Sequence, residues 1–214
     1  MQLNTKKSNY MIFNFSKNYQ FNTRLTMDNN LLEQVRETRL LGVIISDNLK
    51  WHSNTKDIVT RCYQRMLILR NLYSFNIPVE DLVNIYCLYI RSVAEQSSVV
   101  WSSSITSGEE YDLERVQKVA LRIILKEDYL DYKNALIISE LSTLKSRRAK
   151  LSLNFALKCR KNERTSGMFP PREQNVNTRN PESFEVTRAK TGRLANSAIP
   201  SMQRQLNSHV QRKV

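Results

Sequence analysis

Residues 107–126, SGEEYDLERVQKVALRIILK, decide how the chain reads. Leu113, Val116, Ala120 and Ile123 recur at helical spacing and define one apolar face. Arg115, Lys118, Arg122 and Lys126 repeat at i, i+3, i+7 and i+11, which puts four cations on the opposite stripe. Ser107, followed by Glu109 and Glu110, supplies a helix start whose acids complement the positive end of the helix dipole. A helix of this kind must bury its apolar face against a neighbour, so adjoining segments should also be helical.

The pattern continues in both directions. From Trp51 to about Asn162 the apolar period is 3.6, and Gly and Pro almost vanish. A helix is expected over about Thr55–Tyr73, capped by Ser53 or Asn54, with Ile58, Cys62, Met66 and Leu69 as its core stripe. Its other side carries Lys56, Arg61, Arg65 and Arg70. A second begins at Pro78, where proline suits a first turn, and runs through LVNIYCLYIRSVAEQ. Two more are expected at about 131–140 and 143–161, the latter dense in Lys and Arg from Lys145 to Lys161.

The flanks differ. YMIFNF at 10–15 alternates, LLGVIIS at 40–46 is a continuous apolar run, and MDNN at 27–30 reads as a hairpin turn. Residues 1–50 are therefore expected to form a small antiparallel sheet, and 51–162 a helical bundle. The fold class is α+β, mostly α. In 163–214, which hold four of the five prolines, periodicity is weak, and a loosely ordered basic extension is expected. Residues 160–214 have 11 basic and 4 acidic side chains, so the tail holds the denser positive charge.

Composition limits the chemistry. The 214 residues carry 33 Lys+Arg against 20 Asp+Glu, a net +13 that favours a polyanionic partner. Gly42, Gly108, Gly167 and Gly192 lie too far apart for a phosphate-cradling loop. Cys62, Cys87, Cys159, His52 and His209 fit no zinc-ligand spacing, and an odd, scattered cysteine set points to a reducing compartment. The interrupted apolar run at the N-terminus reads as no signal peptide, and the stretch Leu82–Trp101 is too polar for a membrane span. The expectation is a soluble intracellular protein, nuclear or cytoplasmic, with no membrane partner.

Catalytic groups find bland explanations. Asp128 and Asp131 are the nearest approach to a carboxylate pair, but a helix junction makes them capping or solvated charges. Cys62 and Cys87 fall among apolar helix positions, as buried thiols do. His52 reads as a residue of a helix-cap region, and the serines at 97–104 as helix ends. What remains is a set of basic stripes interleaved with Tyr63, Tyr73, Tyr86, Tyr89, Trp101 and Tyr111. A basic stripe is often only a solvated face, but three successive cationic helices and a cationic tail read as a backbone-tracking nucleic-acid surface.

These elements, in this order, resemble the reverse transcriptases of non-LTR, LINE-type retrotransposons, downstream of their catalytic aspartates. LNTKKSNYMIF at 3–13 resembles the palm segment called motif D, and RLLGVIISDNLKWHSNTKDIV at 39–59 the primer-grip hairpin and its sequel. IVTRCYQRMLILRNL at 58–72 is similar to the first thumb helix, LVNIYCLYIRSVAEQSSVVWSSS at 82–104 to a Tyr-Arg-Glu-Val-Trp pattern, and YDLERVQKVALRIIL at 111–125 to a Leu-Glu-x-Val-Gln-Lys helix. ALIISELSTLKSRRAKLSLNFALK at 135–158 and RLANSAIPSMQRQLN at 193–207 resemble the C-terminal extension of some animal elements.

The resemblance implies a palm remnant, a thumb and an extension from an RNA-directed DNA polymerase of a transposable element. It matches Lys7 to the motif D lysine, Leu41, Gly42 and Val43 to the primer grip, and Arg61, Arg65, Arg115, Lys118 and Arg122 to helices facing template–primer duplex. The family's metal-binding aspartates fall before the position matched by Met1. The chain is thus expected to be a truncated polymerase with no catalytic residue and no cofactor of its own, although the parent enzyme uses Mg2+. Its expected partner is RNA or DNA, held by phosphate contacts. The alternative is a non-enzymatic helical scaffold whose basic faces solubilise it and whose exposed apolar surface invites self-association.

Overall fold

The computed structural model describes residues 4, 8–16, 21, 24–172 and 183–211. The chain divides into two compact units, Met1–Asp57 and Ile58–Val214, and is mostly helical with a few short strands.

In the first unit, β1 (Asn9–Tyr10) pairs in parallel with β4 (Glu33–Gln34), and β2 (Thr26–Met27) pairs antiparallel with β3 (Asn30–Leu31). β5 (Glu37–Leu40) and β6 (Val43–Ser46) form an antiparallel hairpin with Leu40 opposite Val43. The single antiparallel sheet expected from sequence is therefore three two-stranded ladders, one of them parallel. Of the alternating YMIFNF stretch only Tyr10 joins a ladder, because alternation prepares a strand without supplying the partner that completes it.

Two turns are set by backbone handedness. Asp28 and Asn29 have φ 47° and 62°, and Leu41 and Gly42 have φ 49° and 83°. Positive φ at both central residues is the primed-turn geometry that follows the right-handed twist of paired strands. Asn and Gly adopt it readily, whereas Leu41 bears a steric cost there.

Helix α1 (His52–Tyr73) begins earlier than its sequence suggests. The amide of Thr55 donates to the carbonyl of Trp51 at 2.8 Å, so Ser53 and Asn54 lie in the first turn and are not caps. They bind the hairpin instead: Asn54 Oδ1 accepts from the Ile44 amide at 3.1 Å, and Ser53 Oγ donates to Glu37 at 2.5 Å. Arg39 and Asp57 add a 2.8 Å ion pair.

In the second unit, the expected stripe of Ile58, Cys62, Met66 and Leu69 is fully buried. α2 (Val79–Ile85) continues through a π-helical stretch, Tyr86–Arg91, into α3 (Ser92–Ala94). After α4 (Ser98–Trp101), α5 (Ser107–Leu125) starts at a capping box in which the Glu109 amide donates to Thr106 Oγ1 while Glu109 Oε2 accepts from the Thr106 amide. α5 buries Leu113, Val116, Gln117, Ala120, Leu121, Ile124 and Leu125. Ile123 is only half-buried and Ile124 takes the place expected for it. α6 (Tyr132–Ile138) and α7 (Leu144–Lys161) follow, capped by Asp131 and Thr143.

The C-terminal extension departs from its expected looseness. After α8 (Glu163–Ser166) and α9 (Gly192–Ala195), α10 (Ala198–Gln211) inserts Met202 and Leu206 into a second core with Ala156, Cys159, Phe169 and Phe184. Asn207 holds the Phe184 backbone twice, accepting from its amide at 2.7 Å and donating to its carbonyl at 3.0 Å. Burying each large apolar side chain contributes about 1.5–3 kcal/mol, which a short helix cannot obtain from backbone propensity alone. Pro200 fits because the first helical turn needs no amide from it. Residues 173–182 and 212–214 lie outside the described residues. Among the described residues, no helix is long and apolar enough to cross a membrane.

Candidate nucleic-acid interface

On α5 the cations lie on the face turned away from the core stripe, whereas Arg61 and Arg65 of α1 flank theirs, three residues on from the buried Ile58 and Cys62. Arg115 and Arg122 are exposed and Lys118 is half-buried. Among the described residues none of Arg65, Arg115, Lys118 and Arg122 makes an ion pair with a carboxylate. Their formal charges are thus uncompensated at contact range.

Tyrosine rings accompany most of them instead. The Arg65 guanidinium lies 4.5 Å from the Tyr89 ring centre and donates to the Tyr89 carbonyl at 2.6 Å. Lys118 Nζ sits 5.1 Å from the Tyr132 ring and 5.5 Å from that of Tyr111. Arg122 lies 5.2 Å from Tyr129, and Lys126 Nζ only 3.3 Å from Tyr73. That last contact brings the C-terminal ends of α1 and α5 together. A ring holds a cation by its quadrupole, worth about 0.5–1 kcal/mol at an exposed site, without neutralising it. Arg61 is likewise engaged within the fold, its Nη1 donating to Gln96 Oε1 at 3.1 Å.

A buried polar network fixes this face from beneath. Tyr86 Oη donates to Gln117 Oε1 at 2.7 Å, while Gln117 Nε2 donates to Tyr132 Oη and to the Ser142 carbonyl, each at 3.0 Å. Tyr132 in turn donates to Glu114. The Glu114 carboxylate also accepts from the amides of Leu144 and Lys145 at 3.1 and 3.2 Å. Glu114 therefore closes the N-terminus of α7 from α5, where a negative charge meets the helix dipole. Burial, followed by the Glu114 hydrogen bond, raises the Tyr132 phenol, and burial raises that of Tyr86 well above its ordinary range.

The cations at the start of α7 are engaged quite differently. Arg147 pairs with Glu95 through two nitrogens, one at 3.0 Å, and that hydrogen bond leads the causes that raise its guanidinium pKa. Lys145 pairs with Glu110 at 2.7 Å. Arg148 is buried 3.7 Å from Glu110, and burial lowers its pKa.

The remaining predicted residues separate. Leu41, at the tip of the β5–β6 turn, is 90 % exposed, and Gly42 follows it in the first unit, whereas the five helical cations belong to the second. Val43 is buried at the start of β6. Lys7 lies outside the described residues. Tyr86 and Trp101 are wholly buried, so neither can stack on a ligand. Sequence reasoning missed Tyr129 and Tyr132, whose only signal was their place in KEDYLDYK after the basic stripe.

Among the described residues, no three His, Cys, Asp or Glu side chains converge. Asp131 is committed to the Asn134 amide at 2.7 Å. Burial pushes the Cys62 thiol up to about 12 and raises that of Cys87, which leaves neither a ready thiolate. No protein-family model matches the sequence, and neither a curated protein nor a solved structure matches the chain.

Proposed function

We propose that this chain is the thumb and adjoining palm segment of a non-LTR retrotransposon reverse transcriptase, and that it holds nucleic acid through phosphate contacts from α1 and α5. The observation carrying the binding role is that Arg65, Arg115, Lys118 and Arg122 have no carboxylate partner among the described residues, whereas the cations at the start of α7 are paired. The sequence resemblance supplies the family and the template–primer character of the ligand. The proposal covers binding.

A salt titration of binding to a short duplex tests it. About four phosphate contacts predict that log affinity falls with log salt at a slope near −3 to −4. A flat dependence, or no binding at low salt, would remove the proposal.

One observation favours a second reading, the interaction scaffold. In the first unit Phe13, Leu25, Leu31 and Leu41 are all exposed, apolar surface of the kind a partner covers. Concentration-dependent association together with salt-independent behaviour towards nucleic acid would support that reading.

A further inference from the structure

The tyrosines over which the cations lie are more than passive supports. Tyr89 is 42 % exposed and Tyr111 60 % exposed, although each has a cation against its ring. A ring with one face under a guanidinium or ammonium is held in place, and its remaining exposed surface is open to solvent. Tyr89 also stands on the π-helical stretch, where the wider turn interrupts the α-helical register.

Binding of single strands combines two elements: cations that follow the phosphates and aromatic rings on which unpaired bases stack. Both are present here at two points, Arg65 with Tyr89 and Lys118 with Tyr111. A duplex hides its base faces within its own stack and offers only phosphates to such a surface. We infer that the two cation–tyrosine pairs, Arg65 with Tyr89 and Lys118 with Tyr111, each form a stacking site for an unpaired base, so that the chain prefers single-stranded nucleic acid. This rests on the nucleic-acid reading above and narrows its ligand.

The test uses the full chain and three fluorescent probes: a 12-nucleotide oligothymidylate, an abasic strand with the same number of phosphates, and a 12-base-pair duplex. Stacking predicts at least about fivefold tighter binding of oligothymidylate than of the abasic strand, since each stacked base is worth about 1–3 kcal/mol. Y89L and Y111L keep apolar bulk at exposed positions and should bring that ratio towards one. The ratio is taken within each variant, so that any change in phosphate affinity from a displaced cation cancels, and helicity by circular dichroism should be unchanged. Equal binding of the abasic and normal strands, or a ratio unmoved in the folded variants, overturns the stacking site while the phosphate reading stands. Failure of all three probes to bind at low salt overturns the nucleic-acid reading and this inference with it.

Discussion

Two groups of cations in the second unit have similar sequence character and opposite surroundings. At the start of α7, Lys145 and Arg147 end on Glu110 and Glu95, and Arg148 is buried beside Glu110. On α5, Lys118 and Arg122 end on tyrosine rings. The first group is spent on holding helices together, while the second retains its charge at the surface. Net charge alone counts both groups equally, and only the positions of the carboxylates separate them.

The largest expected effect comes from the side chain that joins the two groups. Glu114→Ala would strand the amides of Leu144 and Lys145 and the Tyr132 hydroxyl, and stability by urea denaturation should fall by about 3 kcal/mol. A loss under about 1 kcal/mol would mean that α7 needs no carboxylate at its start. Arg147→Ala leaves Glu95 without its bidentate partner in a half-buried setting, and about 1–2 kcal/mol should be lost.

Alkaline pH probes the buried side of the network. Cys62, Tyr86 and Tyr132 all have pKa values raised in the folded state, so each ionises first in the unfolded chain. Their contribution is complete below the unfolded thiol range near 8.5 and is lost as pH rises towards about 12, where Cys62 ionises in the fold. Denaturation midpoints should therefore fall between about pH 9 and 12, and C62A should lessen the fall.

The smallest stability effect belongs to the tyrosine-bound group. Lys118→Ala and Arg122→Ala should each cost under about 1 kcal/mol. Each should nevertheless weaken nucleic-acid binding several-fold at low salt, read by fluorescence anisotropy. A stability loss matching that of Arg147→Ala would erase the difference between the groups.

How much of this was legible in the sequence follows from the range of the interactions involved. The α5 stripe and its acidic first turn are local, and 3.6 periodicity displays them. The role of Glu114 depends on amides thirty residues away, and no spacing announces it. Leu41 read as part of an apolar run, yet the turn it shares with Gly42 turns it to solvent. α10 was hidden by the proline-rich composition around it, although Met202, Leu206 and Val210 do recur at helical spacing. Of the five helical cations, sequence placed all on the helices; which of them the fold engages, as it does Arg61 and Arg65, depends on tertiary partners such as Gln96 and the Tyr89 carbonyl.

The most direct measurement compares salt slopes for two charge-neutralised variants, R65Q/K118Q/R122Q and K145Q/R147Q, against the parent chain. If the tyrosine-bound cations meet phosphate, the triple variant should flatten the slope of log affinity against log salt by about 2.7, while the folded double variant leaves it within about 0.5 of the parent. Equal flattening in both, or an unchanged slope in the triple variant, would contradict the assignment of the nucleic-acid surface to α1 and α5.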